Sequence, residues 1–234
     1  MKNSLFKRVL FFTMALVGVT LLFAGNGDDG VIMATASFAA LNWEGGQNNM
    51  GGFKNFVVFY PAHLCQSVPQ VPSEIAQGDD YVEAVGAFTM VDGEEPIFIY
   101  ATDQTVKYAA EAVGETDGIS FEQKGEFFYP GNKKEAHSLA TRIKNMKGYI
   151  VIEDSDGQQQ LIGSPGLEAV IKPSYDGGQK RSDRRGLKFE FSAPSNQTAV
   201  FLGTKLIVDP VVGSAEYEES SESSDPEPEP EPEV

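Results

Sequence analysis

The feature that most limits what this chain can fold into is its punctuation. From Phe53 to Thr204, short apolar runs are broken by Gly, Asn, Asp and Pro, too often for most of them to be helices. The runs at 53–60, 81–90, 96–101, 106–114, 119–130, 148–154, 158–164, 167–172, 187–193 and 198–204 each read as a strand. In 187–193, Leu187, Phe189 and Phe191 alternate with Lys188, Glu190 and Ser192. That period of two sends one face into a core and the other into water. Asp117-Gly118 is placed to turn the chain between 106–114 and 119–130. Asp156-Gly157 does the same between 148–154 and 158–164, because Gly accepts positive φ. Regular strands with glycine-bearing turns predict a mainly β fold, an antiparallel β-sandwich or partly closed barrel. The 16 Phe and 8 Tyr supply its core.

One segment departs from this rhythm. Over about 132–147, Ala136, Leu139, Ala140, Ile143 and Met146 fall at helical spacing. Asn132 is an N-cap candidate, with Glu135 three residues on to complete a capping box. Lys144 and Lys147 suit the negative end of the dipole, and Gly148 is a natural stop. A single helix packed on the sheet is expected, with His137 on its polar side and no catalytic role assigned to it.

Both ends differ from the middle. Lys2, Lys7 and Arg8 precede an apolar stretch from Val9 to Phe23, the pattern of a signal peptide. A second reading starts translation at Met33, because the residues before it can be encoded by a purine-rich, ribosome-binding stretch. Residues 1–32 are therefore either a signal-like segment or an upstream extension. The β-rich domain is expected over 33–212, and a disordered acidic Pro-Glu tail over 213–234. Nine of the acidic groups behind the net charge of −16 lie in residues 214–234, with no basic residue among them. Such a balance argues against general affinity for nucleic acid. Stable membrane insertion is not expected.

The motifs of chemistry are weak. Asp154-Ser155-Asp156-Gly157 resembles the start of a calcium loop, but Pro165 stands where the closing Glu belongs. Cys65 is the only cysteine, so neither an intrachain disulfide nor a Cys-based zinc site can form. It reads as a plain buried or half-buried thiol. The Gly-rich stretch at 43–53 lacks the Lys-Ser/Thr of a phosphate loop and reads as a flexible loop. Asn196-Gln197-Thr198 fits a glycosylation acceptor by pattern alone. Glu122 and Glu126 are four apart on one strand and do not make a glycosidase pair. No Gly-x-Ser-x-Gly elbow or His-Glu-x-x-His helix is present. The basic run from Lys180 to Lys188 lacks the interleaved aromatics of a single-strand binder and reads as a charged interface loop. An acidic patch that includes Glu94 and Glu95 is a candidate partner for it across a subunit boundary. No enzyme, cofactor or metal is expected.

The order of turn residues carries a resemblance. After the helix come Asp156-Gly157, Ile162-Gly163, Asp176-Gly177-Gly178, Asp183 and Gly186, then a closing strand at 198–204. Ahead of it, 109–136 pairs strands that lead into the helix. Over 106–204 the chain resembles the C-terminal half of bacteriophage tail-tube (major tail) proteins and related virion components. The signal-like start and the acidic tail have no counterpart in that pattern. The resemblance implies a structural subunit that assembles into stacked rings with itself and with other tail proteins, its negative wall letting DNA pass as cargo without sticking. It implies a projecting hairpin at 106–128 and a subunit interface drawn from Lys107, Glu111, Glu115, Asp117, Glu122, Lys124, Lys180, Arg181, Arg184 and Arg185. The site would then be the virion, assembled in host cytoplasm, with translation from Met33. The alternative takes the signal segment at face value: an exported or periplasmic β-sandwich that binds a surface partner or carbohydrate.

Overall fold

A computed structural model describes residues 50–72, 81–209 and 214–217. The expectations for residues 1–32, for most of the Gly-rich stretch and for 218–234 lie outside the described residues. The strands are β1 (Phe56–Pro61), β2 (Cys65–Ser67), β3 (Glu83–Ala84), β4 (Thr89–Met90), β5 (Ile97–Tyr100), β6 (Lys107–Val113) and β7 (Ser120–Pro130). The helix α1 (Lys134–Ile143) follows. Then come β8 (Lys147–Glu153), β9 (Gln159–Ile162), β10 (Ala169–Asp176), β11 (Gly186–Ser195), β12 (Phe201–Leu202), β13 (Leu206–Asp209) and β14 (Ser214–Tyr217).

Ten strands share one sheet in the order β3-β12-β9-β8-β10-β11-β7-β6, with β1 on β8 and β5 on β1. Every pairing in it is antiparallel except β12 with β3. The sheet curls into a half-barrel. Just past β5, Thr102 N–H donates to the Phe128 carbonyl of β7 at 2.8 Å and draws the two sides of the curl together. The fold is therefore the mainly β, partly closed architecture that the punctuation predicts.

Two apolar layers lie on either side of β1 and β8. One holds Val57, Phe59, Ile150, Ile152, Phe127 and Phe189 among others, and α1 closes it through Ala136, Ala140 and Ile143. The other holds Phe56, Val58, Tyr60, Tyr149, Val151 and Phe88. Every residue of β1 is buried, as is all of β8 after Lys147. Strands covered on both faces need continuous apolar runs rather than alternation, which explains Phe-Val-Val-Phe-Tyr and Tyr-Ile-Val-Ile. The strand β11 borders only one layer and alternates as expected, with Leu187, Phe189 and Phe191 buried.

The helix needs three corrections. It is shorter than 132–147, and its N-cap is Lys133, which makes no side-chain cap bond. Asn132 instead places Oδ1 2.6 Å from Nε2 of His137, so no capping box forms. Gly148 does not end the helix; it sits inside β8, paired with Pro61 on one side and Ala169 on the other. The segment 81–90 is likewise not one strand. Gly86 takes φ +104 and splits it into β3 and β4.

The tail boundary also moves. Ser214–Tyr217 pairs with Leu206–Asp209 as a two-stranded ribbon, so the segment expected to be disordered from residue 213 begins with a strand. A buried network anchors the ribbon. The Gln159 side chain accepts from Leu206 N–H at 2.7 Å and donates to the Leu206 carbonyl at 2.5 Å. It also donates to Glu153 Oε2 at 3.0 Å, and the other oxygen of Glu153 pairs with Lys54. Gln159 thus behaves as one more strand residue for β13.

Candidate subunit interface

The outward side chains of β6, β7, β11 and β10 fall into rows set by register. Lys107 faces Glu126, Glu126 faces Glu190, and Glu190 faces Lys172. Glu111 faces Glu122 two rows away on the same face, with Ala109 and Lys124 in the row between. Like charges directly opposite destabilise a sheet unless something bridges them. Lys188 bridges Glu126 at 2.9 Å and Glu190 at 2.8 Å. Lys124 bridges Glu122 at 2.8 Å and Glu111 at 3.5 Å. Hydrogen bonds to their carboxylates, Glu190 foremost for Lys188 and Glu122 foremost for Lys124, push both ammonium groups up from the ordinary lysine value. The Lys188 hydrogen bond holds Glu190 below the usual carboxylate range. Being exposed, these pairs add little stability, but they fix a mosaic of both signs. The face forms an open groove of about 390 Å³ lined by Lys107, Glu111, Glu122 and Lys124 with Glu126 and Glu190.

Glu115 and Asp117 lie elsewhere, on the β6–β7 tip. The last pair of that hairpin is Val113 with Ser120, so the connection runs over 114–119. Gly118 N–H donates to the Glu115 carbonyl at 2.9 Å, and the left-handed residue is Asp117 at φ +69 rather than Gly118. Asp tolerates that region through local hydrogen bonding. Gly114 takes φ +113, and a Cβ there would meet the Gly118 carbonyl oxygen at 2.4 Å. Exposed Val113 and Ile119 flank the two acids. The hairpin at 106–128 is not a projecting arm. Its strand β7 is paired with β11 from Phe121 to Pro130, and only the tip extends past Ser195.

Lys180, Arg181, Arg184 and Arg185 occupy the β10–β11 loop. Among the described residues, Asp183 forms no ion pair with them. Its Oδ2 accepts N–H bonds from Gln179 at 3.0 Å and Lys180 at 2.8 Å, and these bonds, that from Lys180 first, hold its carboxyl below the usual carboxylate range. Asp176 is spent in the same way on Gly178 N–H at 2.9 Å. Arg184 stacks over the Phe128 ring, its guanidinium carbon 4.2 Å from the centroid. Among the described residues, none of the four cations has an ion pair. The loop meets Gly186 and the tip lies beyond Ser195, so the two sit at opposite ends of β11, about 30 Å apart along the strand. The structure thus gathers Lys107, Glu111, Glu122 and Lys124 into one groove and places the other six at the two ends. Glu94 and Glu95 are exposed between β4 and β5.

The reading from residues overlooked Lys172, Glu126, Lys188 and Glu190 as members of the face. Their outward alternation was visible, but the register that aligns four strands was not. It also overlooked the interior side of β6. There, Tyr108 donates to the Thr198 carbonyl at 2.6 Å, and buried Gln123 binds Gln197 and Gly163. Burial pushes the Tyr108 phenol up to about 12, with a Gln123 hydrogen bond opposing it. The unfolded chain then loses this proton first, so stability contributed by Tyr108 is intact below pH ~10 and declines as pH rises toward 12. Urea midpoints measured across that window should fall less steeply for Tyr108→Phe than for the parent.

The opening motif at 154–157 is a turn. Asp154 Oδ1 accepts from Asp156 N–H at 3.0 Å and Gln158 N–H at 2.9 Å, and Gly157 takes φ +83. Cys65 is half-buried, and its thiol lies 3.3 Å from the Pro61 carbonyl; burial pushes the thiol pKa up. No family model matches this chain, and no curated protein or solved structure shows significant similarity to it.

Proposed function

We propose that this protein is a self-assembling structural subunit of the kind that builds a bacteriophage tail tube. The observation that carries the reading is the open edge of β6. This strand ends the sheet, and among the described residues it pairs with β7 alone. Its seven residues pair in unbroken register and include neither Pro nor a bulge. Such an edge offers a row of free N–H and C=O groups to another chain, and proteins that stay monomeric usually blunt it. The side chains Ala109, Ala110 and Ala112 leave room for a neighbouring strand, while Lys107 and Glu111 set its charge register. Strand addition around a closed ring would cover the β6 edge of every subunit.

Placing lysines on this edge tests the reading. Ala109→Lys with Ala112→Lys should weaken self-association of the full chain by about tenfold or more, because edge lysines repel a pairing strand. Sedimentation velocity and negative-stain microscopy measure it, and circular dichroism should remain that of the parent. A full chain that stays monomeric at high concentration, or rings that form unaltered with both lysines, would remove the proposal.

A further inference from the structure

The two ends of the sheet carry opposite charge. Both β8 and β11 are antiparallel to β10, so they run the same way. The end toward which they run holds Glu115 and Asp117 in the tip and Asp154 and Asp156 in the β8–β9 turn. The chain also departs from this end. Tyr217 pairs with Leu206, and Gln159 fastens Leu206 beside Glu153. The end from which β11 starts holds the β10–β11 loop with Lys180, Arg181, Arg184 and Arg185. Gly131 N–H bonds the Arg185 carbonyl at 3.0 Å, which brings Lys133 and Lys134 at the start of α1 to the same end.

The loop sets four cations against one carboxylate. That carboxylate, Asp183, is exposed and accepts the backbone N–H groups of Gln179 and Lys180, and among the described residues it forms no ion pair with any of the four cations. The counter-charge in this chain is concentrated after Tyr217, where residues 218–234 hold eight acidic groups and no basic one. We infer that the basic β10–β11 loop is a docking site for the acidic Pro-Glu segment of a second copy of this chain, in a head-to-tail contact.

Distance selects the second copy over the same one. Moving from the level of Glu153 to that of Gly186 covers about twelve strand residues, about 40 Å. The 17 residues after Tyr217 span about 50 Å at full stretch. Docking within one chain would hold nearly the whole segment taut. In a head-to-tail stack the departure end of one copy faces the loop end of the next, and the segment docks with slack. A heterologous contact of this kind repeats along an axis. The inference rests on the assembly reading, with the tail as the element that joins one layer of subunits to the next.

Carbodiimide cross-linking with mixed isotopes tests it. Full chain labelled with ¹⁵N is mixed with unlabelled chain at low salt, treated, and analysed by mass spectrometry. Amide cross-links between Lys180 and glutamates of 218–234 are expected as mixed-isotope pairs in about half of the product, the statistical share for a contact between copies. Arg181→Glu with Arg185→Glu should lower that yield by about tenfold, as should raising the salt to about 0.5 M. Cross-links confined to same-isotope pairs would overturn the inference, as would a yield untouched by the two substitutions. Sedimentation of the same samples separates the two proposals. Assembly without tail cross-links would leave the β6 reading standing and this one refuted. A chain that sediments as a monomer would refute the β6 reading. An added 218–234 peptide would then decide the docking site, and failure to cross-link to Lys180 would refute it.

Discussion

Gly148→Val is expected to yield no soluble folded protein, and Gly148→Ala to lose about 3 kcal/mol of the ~5–15 kcal/mol typical of a domain. A Cβ at this position would stand 2.3 Å from the Tyr60 carbonyl oxygen and 2.5 Å from the Phe59 ring. Neither neighbour can yield. The first is backbone in a paired strand, and the second is fully buried in the larger apolar layer. Gly148→Asn separates this account from the sequence expectation. A glycine that stops a helix in the left-handed region would accept Asn at small cost. A glycine wedged between strands would not, and Asn should be at least as harmful as Ala. Gly51→Ala is the control, because nothing lies within 4 Å of its Cβ position and its change should stay within about 0.5 kcal/mol. Urea midpoints for Ala and Asn, and soluble yield for Val, make the comparison. A Gly148→Asn protein as stable as the parent would show that β8 does not begin where it is placed.

Gln159→Ala should release the C-terminal ribbon. The substitution strips partners from the N–H and carbonyl of Leu206 and from one oxygen of Glu153, all inside the protein. Each buried polar group left unpaired costs about 1–3 kcal/mol, offset in part when water enters the gap, so a total loss of about 2–4 kcal/mol follows. Because β13 and β14 lie outside the ten-stranded sheet, much of that loss should appear as local opening. Hydrogen exchange of the Leu206 amide should accelerate by roughly 100-fold, while amides in β8 keep their protection. Gln159→Glu should be worse still. It keeps an acceptor for Leu206 N–H, but it loses the donor and sets a second carboxylate beside Glu153. Unchanged exchange at Leu206 in both variants would show that Gln159 does not hold the ribbon.

Strand content was legible in the sequence because polar breaks and period two are local signals. The strand β11 could be placed almost to the residue from Leu187, Phe189 and Phe191. Gly148 and Asn132 were misread because their roles are not local. Gly148 follows a helical stretch and looks like its stop, yet its partners Pro61 and Ala169 lie far away in sequence. Asn132 has the chemistry of a cap but is drawn to His137. The ribbon at 206–217 was hidden because acidic residues after it dominate the composition, and its anchor, Gln159, sits in a run of three Gln that reads as a plain polar edge. At the candidate interface, the residue types were legible and their grouping was not. Lys107, Glu111, Glu122 and Lys124 come together only through the pairing of β6 with β7 and of β7 with β11.

The pairing of β1 with β8 also sets an order of events during synthesis. Phe59 meets Ile150, about ninety residues later in the chain. While the ribosome adds those residues, Phe-Val-Val-Phe-Tyr has β5 as its only early sheet neighbour and lacks the strand that covers its other edge. Long loops close slowly, and an apolar segment awaiting its mate is open to capture by other nascent chains. Among the described strands, β1 is thus an unbroken apolar run whose second edge stays uncovered until residue 150 is made.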